Sequence, residues 1–143
     1  MAKNFNPNHV MHGNGGYAWW QGKQLVTLQS VEAKVSGDFE DVNVCGDPAT
    51  YSIYNGYSGE GTLTWLKVDS TVLSELAEAY RTGIMPEISV VTAQKQKGTN
   101  KVERVAYSDI TVTEFMLAKF EKKAMTEEEV PFKFGNFEVL ETI

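Results

Sequence analysis

The sequence predicts a mainly β protein, α+β by strict count, built as a two-sheet sandwich or half-barrel with one flanking α-helix. Three observations carry that prediction. Apolar residues recur at every second position in several short runs, which is the strand period. Only one stretch, Thr71 to Thr82, has an apolar stripe at helical spacing. Gly, Asn, Asp and Pro punctuate the chain between these runs. At 143 residues the chain can bury one core without staples, so a single domain over 17–143 is expected, preceded by an N-terminal arm over 1–16.

The arm is rich in Asn, Gly and His and holds too few apolar groups to order itself alone. Tyr17-Ala18-Trp19-Trp20, then Gln21-Gly22-Lys23-Gln24, then Leu25-Val26-Thr27-Leu28 reads as two strands joined by a tight glycine turn. The second strand is expected to continue to Val35, with Leu25, Thr27, Gln29, Val31, Ala33 and Val35 on one face. From Gly37 to Gly61 the pattern dissolves into Gly, Asp, Asn, Ser and Tyr, with only Val42 and Val44 hinting at a strand. That segment reads as a long loop, 37–61, of a length uncommon unless a partner orders it.

Thr62 to Val68 returns as a strand, and Asp69 or Ser70 caps the helix. Val72, Leu73, Leu76, Ala77 and Tyr80 form its apolar stripe, and Gly83 ends it. Ile88 to Ala93 and Val102 to Tyr107 read as a hairpin around Lys97-Gly98-Thr99-Asn100. Ile110 to Phe120 and Glu129 to Leu140 are expected as the last strands. In the closing run Val130, Phe132 and Phe134 share one parity, whereas Phe137 and Val139 share the other, so a bulge or kink is expected at Gly135-Asn136.

A formal net charge of -6 disfavours continuous contact with a nucleic-acid backbone. A channel wall is compatible with that sign, because a surface that repels phosphate favours sliding over sticking. Cys45 is the single cysteine, so no internal disulfide can form, and a buried small hydrophobe is its expected role. No stretch approaches the roughly 20 apolar residues of a membrane span, and no signal-peptide core opens the chain. A soluble protein without an export signal of its own is expected.

The chemistry-bearing residues do not assemble into a catalytic pattern. His9 and His12 stand three apart but without helical context or a nearby carboxylate, so no metal is assigned. Gly13-Asn14-Gly15-Gly16 neither follows a strand nor opens a helix, so it is no dinucleotide motif. The acidic run Glu127-Glu128-Glu129 is a solvated flank whose members alternate faces. Two rivals to a structural role stay open. One is a monomeric carbohydrate- or ligand-binding β-sandwich using Trp19 or Trp20 and the tyrosine segment. The other is a glycoside hydrolase, which would bring two of Asp38, Glu40, Glu60 and Glu103 face to face. One of the adjacent pair Trp19 and Trp20 should fill the core and the other needs a cover, which a subunit interface would provide. The basic residues Lys95, Lys97, Lys101 and Arg104 suit a solvated tip or an acidic neighbour better than a nucleic acid.

Three features in order resemble the tail tube proteins of contractile phage tails and of phage-tail-like particles of Gram-positive bacteria. They are Leu66-Lys67-Val68-Asp69-Ser70 before the helix, Glu103 to Ile110 leading into a strand, and the close Glu128-Glu129-Val130-Pro131-Phe132-Lys133-Phe134. The likeness runs from about Gly16 to the end. The resemblance implies a structural subunit without enzymatic activity, cofactor or metal, similar in architecture to the type VI secretion tube protein. It implies hexameric rings stacked into a tube inside a sheath, started on a baseplate initiator, with a tape-measure protein in the lumen and a channel that either passes DNA without specific binding or serves cell-envelope puncture. It also implies a place in the virion tail, assembled in the host cytoplasm. On that reading the expected inter-subunit contacts are Tyr17, Trp20, Tyr51, Tyr54 and Tyr57.

Overall fold

The computed structural model describes residues 6–143. Seven strands form one antiparallel sheet: β1 (Gly16–Trp20), β2 (Lys23–Gln24), β3 (Leu28–Asn43), β4 (Thr50–Leu66), β5 (Val90–Lys95), β6 (Val102–Val112) and β7 (Glu127–Glu141). Their order is β2-β1-β5-β6-β7-β4-β3. The mainly β class with one helix is as expected, but the strands make one sheet, not two. That sheet curls. Its two ends are successive in the chain, joined only by residues 25–27, so they must come together. At this corner the Leu25 N–H donates to the Ala18 carbonyl at 2.9 Å. The expected long strand from Leu25 is therefore broken, because the chain spends residues 25–27 crossing from one edge of the sheet to the other.

The concave face holds the core. Ala18, Trp20, Leu63, Trp65, Val90, Tyr107, Ile110, Val112, Val130, Phe132 and Phe134 are buried there. The helix α1 (Thr71–Thr82) closes it with Val72, Leu76 and Ala79. Its start is tied by the Asp69 carboxylate, which accepts from the Thr71 N–H at 3.2 Å, whereas Ser70 sits at the cap position without a side-chain bond. Gly83 ends it in the left-handed region at φ 78. Tyr80 leaves the buried stripe: its ring stacks on Phe115 at 4.9 Å and its hydroxyl donates to the Val112 carbonyl. That contact turns the chain away after Val112, so the expected strand to Phe120 stops there and 113–126 runs without regular structure.

The β1–β2 turn matches expectation, with Gln21 and Gly22 both at positive φ as a tight hairpin of this twist requires. So does the kink in β7. Phe134 pairs with Ile110 and Phe137 with Tyr107, two buried partners, so residues three apart share the core face. β6 kinks with it at Asp109 (φ 53), and the pairing offset is the same on both sides.

The largest departure from the sequence reading is 37–61. It is not a loop but most of a hairpin, with β3 and β4 paired from Leu28↔Trp65 out to Asn43↔Thr50. The period-2 signal is absent because the outer half of the hairpin is wet on both faces, and backbone pairing, not burial of alternate side chains, holds it.

Candidate assembly surface

β4 pairs with β7 only as far as Gly59↔Phe134. Beyond that point the sheet forks, and residues 50–58 of β4 and 135–141 of β7 each show an edge without a strand partner on the fork side among the described residues. Tyr57 sits in the crotch of the fork. Its hydroxyl donates to the Gly135 carbonyl at 3.0 Å and its ring meets Phe137 edge-on at 5.7 Å. Unpaired edges of this kind are templates for another chain unless they are blocked or covered.

The hairpin beyond the fork is rich in exposed apolar side chains: Phe39 is 58% exposed, Tyr51 49%, Ile53 51% and Tyr54 58%. A register shift decides which of them share a face. Asp38 pairs with Gly56 and Phe39 with Tyr54, leaving Asn55 as an extra residue beside Gly56 at φ 149. This bulge puts Tyr57 and Tyr54, three apart, on one face with Phe39, whose ring lies 5.7 Å from that of Tyr54. Tyr51 pairs with Val42 and falls on the other face beside Ile53. One face of the hairpin therefore exposes three aromatic rings, and the other an aromatic and an aliphatic side chain.

The tip is built by Asp47. Its carboxylate accepts from the Ala49 N–H at 2.9 Å and from the Tyr51 hydroxyl. The Tyr51 bond, then the Ala49 bond, holds the Asp47 carboxyl below its ordinary pKa, and the same Tyr51 bond raises that of the phenol. Cys45 is exposed at this tip, not buried as the sequence suggested.

Of the contact residues expected from sequence, Tyr51, Tyr54 and Tyr57 lie together on the hairpin and the β1 pair lies apart from them. Trp20 is turned inward and only 4% exposed, because alternation gives the core to Ala18 and Trp20. Trp19 is the member left at the surface, stacked on Tyr17 at 6.3 Å with the Arg104 guanidinium over its ring at 5.7 Å. Tyr17 carries the Lys95 ammonium at 5.8 Å. Phe39, Ile53 and Phe137 were missed; the alternation Asp38-Phe39-Glu40 was the available signal for the first.

Two of the four acids named for a hydrolase, Glu60 and Glu103, lie apart from each other. Glu60 is paired with Lys34 at 3.2 Å, and Glu103 lines a separate cavity of about 450 Å³ between β3 and β1. No face-to-face carboxylate pair is made by these two. The aromatic residues proposed for a sugar do not share a cleft, since Trp20 is in the core and the tyrosines are on the hairpin. His9 and His12 flank two single-turn 3-10 helices, Pro7–His9 and Gly13–Gly15, and no group of three or more His, Cys, Asp or Glu able to hold a metal occurs among the described residues. The described part of the arm lies along the end of β5, where the Gln96 amide donates to the His9 carbonyl at 3.0 Å.

The fold is a curled sheet with a helix on its concave side and a forked hairpin that bears exposed aromatic residues, the form of a structural β subunit. Residues 3–141 match the family model described as phage tail tube protein, and the chain belongs to that family. It is a structural family of virion tails and not an enzyme family. The match includes most of the arm. The chain is 26% identical over 137 residues to the phage-like element PBSX protein XkdM of Bacillus subtilis (strain 168), spanning 94% of this chain and 93% of XkdM. Among solved structures it is similar to the tube-terminating cap of the anti-feeding prophage, with TM-score 0.76 at 9% identity over 98% and 97% of the two chains. It is also similar to a chain of the sheath–tube complex of the extracellular contractile injection system PVC, with TM-score 0.71 at 10% identity over 94% and 93%. The SPP1 tail tube gives TM-score 0.67 at 12% identity over 94% and 81%.

Proposed function

We propose that the chain is the repeating subunit of a contractile tail's inner tube, assembled as stacked hexameric rings around a channel. The observation that carries this reading is the forked hairpin, which presents open strand edges and exposed aromatic residues on both faces. A head-to-tail interface closes into a ring when its rotation divides the circle, and stacking then extends rings into a filament. Within such a tube Tyr17, Tyr51, Tyr54 and Tyr57 contact neighbouring subunits, with Trp19 taking the part first expected of Trp20. The outside of the tube meets a sheath and one end meets a baseplate initiator, in keeping with the sheath-bound tube it resembles. The channel holds a tape-measure protein and then either conducts DNA without specific binding, consistent with the acidic chain, or serves in cell-envelope puncture. Assembly takes place in the host cytoplasm.

Negative-stain electron microscopy of the concentrated protein, with mass from light scattering, tests the reading. Rings or tubes with a central channel are the expected result. A monomer at every concentration, with tryptophan fluorescence that responds to added sugar, would replace it with the ligand-binding module.

A further inference from the structure

Between Phe115 and Thr126 the chain reads Met116-Leu117-Ala118-Lys119-Phe120-Glu121-Lys122-Lys123-Ala124-Met125, ten residues without glycine, proline or a β-branched side chain. All but Phe120 are strong helix formers. At helical spacing Met116, Leu117, Phe120 and Ala124 share an arc of about 100°, an apolar stripe, with Lys119 and Lys123 along one flank. Lys122 and Lys123 would stand in the last turn, where the helix dipole favours a cation. Yet the segment is irregular, and its stripe is wet, with Leu117 69% and Phe120 84% exposed. Lys123 sits at φ 64, a conformation that costs a residue with a Cβ. Local preference and the described conformation disagree here, and a second arrangement resolves the conflict.

Beside the segment lies an apolar surface with no cover among the described residues. A cleft of about 290 Å³ is lined by the buried Trp20, Trp65 and Val72 and by the exposed Val26 and Val68, with Asp69 and Glu75 as its acids. It shares Val68 and Asp69 with a second cleft that Leu117 and Phe120 already line, so the two are neighbours. The Trp20 indole N–H is buried and has no hydrogen-bond partner among the described residues. A buried donor of this kind calls for an acceptor. The ends of the segment are fixed. The Thr113 N–H donates to the Pro131 carbonyl at 3.3 Å, the Phe115 ring stacks on Tyr80, and the Thr126 carbonyl accepts from the Lys67 N–H at 2.8 Å. Thr126 and Pro131 are five residues apart along an extended chain, about 17 Å.

We propose that residues 116–125 are a strap that folds as an amphipathic helix over the Trp20 cleft of the same chain. A helix of ten residues is about 15 Å long, so it fits between the two fixed ends without moving them. Leu117 and Phe120 cross the shared Val68 and enter the cleft over Trp65 and Val72. Lys119 and Lys123, one turn apart, come opposite Asp69 and Glu75. The carbonyls of the last turn have no partner within a helix, and one of them accepts from the Trp20 indole. A helix this short is marginal in water, so burial of its stripe is what forms it, and the irregular arrangement is the strap when open. Closed, the strap hides Val26, Val68 and Phe120, so a partner at that end must displace it first. The inference goes beyond the tube reading and does not rest on it.

Heteronuclear NMR of the isotope-labelled full chain, at a dilution where light scattering gives a monomer, tests the strap. Helical Cα shifts over 116–125 and a slowly exchanging Trp20 indole N–H are the expected result. Phe120→Ser should speed exchange of that N–H about tenfold or more, whereas Phe120→Leu should hold it near the parent rate. Glu121→Pro lies mid-helix at a residue whose N–H makes no bond in the open arrangement, so it should abolish the helical shifts and speed the exchange while leaving the sheet resonances in place. Coil shifts throughout 116–125 in the parent would overturn the strap. So would a Trp20 exchange rate that neither Phe120→Ser nor Glu121→Pro changes. Either failure is read on the monomer and leaves tube formation to be judged separately by microscopy.

Discussion

Gly59 is where the packing of this sheet can be tested most sharply. It lies on the core face of β4 opposite Phe134, and a Cβ built on it would stand 2.3, 2.5 and 2.6 Å from three atoms of the Phe134 ring. Carbon pairs prefer about 3.5–4.0 Å, so the ring would have to withdraw by roughly 1.2 Å or more. It has nowhere to go, since Tyr107 lies 4.9 Å away and Phe132 and Phe137 each 6.2 Å away, centroid to centroid. Overpacking of this kind costs about 1–3 kcal/mol. Replacing a strand glycine returns about 0.5–1 kcal/mol of backbone entropy. The Gly59→Ala variant should therefore be less stable by about 1 kcal/mol and by no more than about 2.5 kcal/mol, which lowers the melting temperature by about 3–4 °C per kcal/mol for a chain of this size. Urea unfolding of dilute protein followed by tryptophan fluorescence measures it. Gly13→Ala, with nothing within 4 Å of its Cβ, is the control and should stay within about 0.5 kcal/mol of the parent. Adding Phe134→Leu to Gly59→Ala should recover part of the loss. A Gly59→Ala chain as stable as the parent would refute the close-approach argument.

Three further outcomes are expected. Glu128 is 6% exposed, and burial raises its pKa against the opposing pull of Lys67 and the Trp65 indole. A carboxyl raised on folding contributes stability below its unfolded value and loses it as pH rises through the folded one. Glu128→Gln should thus be more stable than the parent at neutral pH and should flatten the acid-side pH dependence; an unchanged or lower neutral stability would contradict this. Asp47→Asn removes the charge that Tyr51 bonds to, so ultraviolet difference titration should show the Tyr51 phenol ionising at lower pH than in the parent. Tyr54→Ala should leave the fold intact by circular dichroism but reduce tube formation at least tenfold, measured by sedimentation of polymer; normal tubes would remove Tyr54 from the contact.

The elements legible in the sequence are those whose signal is local. The helix from Thr71 to Thr82 follows from its apolar stripe and from Gly83, a residue suited to the left-handed cap. The Gln21-Gly22 turn follows from its chemistry, and the kink near Gly135 from a change of parity. The hairpin tyrosines were visible as large residues in a polar stretch, yet their grouping was not. It depends on the Asn55 bulge, and a bulge is a relation between two strands.

By itself, the sequence determined the class: a mainly β chain with one helix and no constellation for catalysis, closing on a signature that resembles tail tubes. Tertiary structure alone decided that 37–61 is a hairpin, that Trp20 and not Trp19 fills the core, and that the strands make one curled sheet. The physical reason is the same in each case. Periodicity in a sequence records burial of alternate side chains, whereas the outer hairpin is held by backbone hydrogen bonds that any residue except proline can make. The curl is likewise set by which strands end up adjacent, and the short 25–27 corner becomes informative only once the strand order is known.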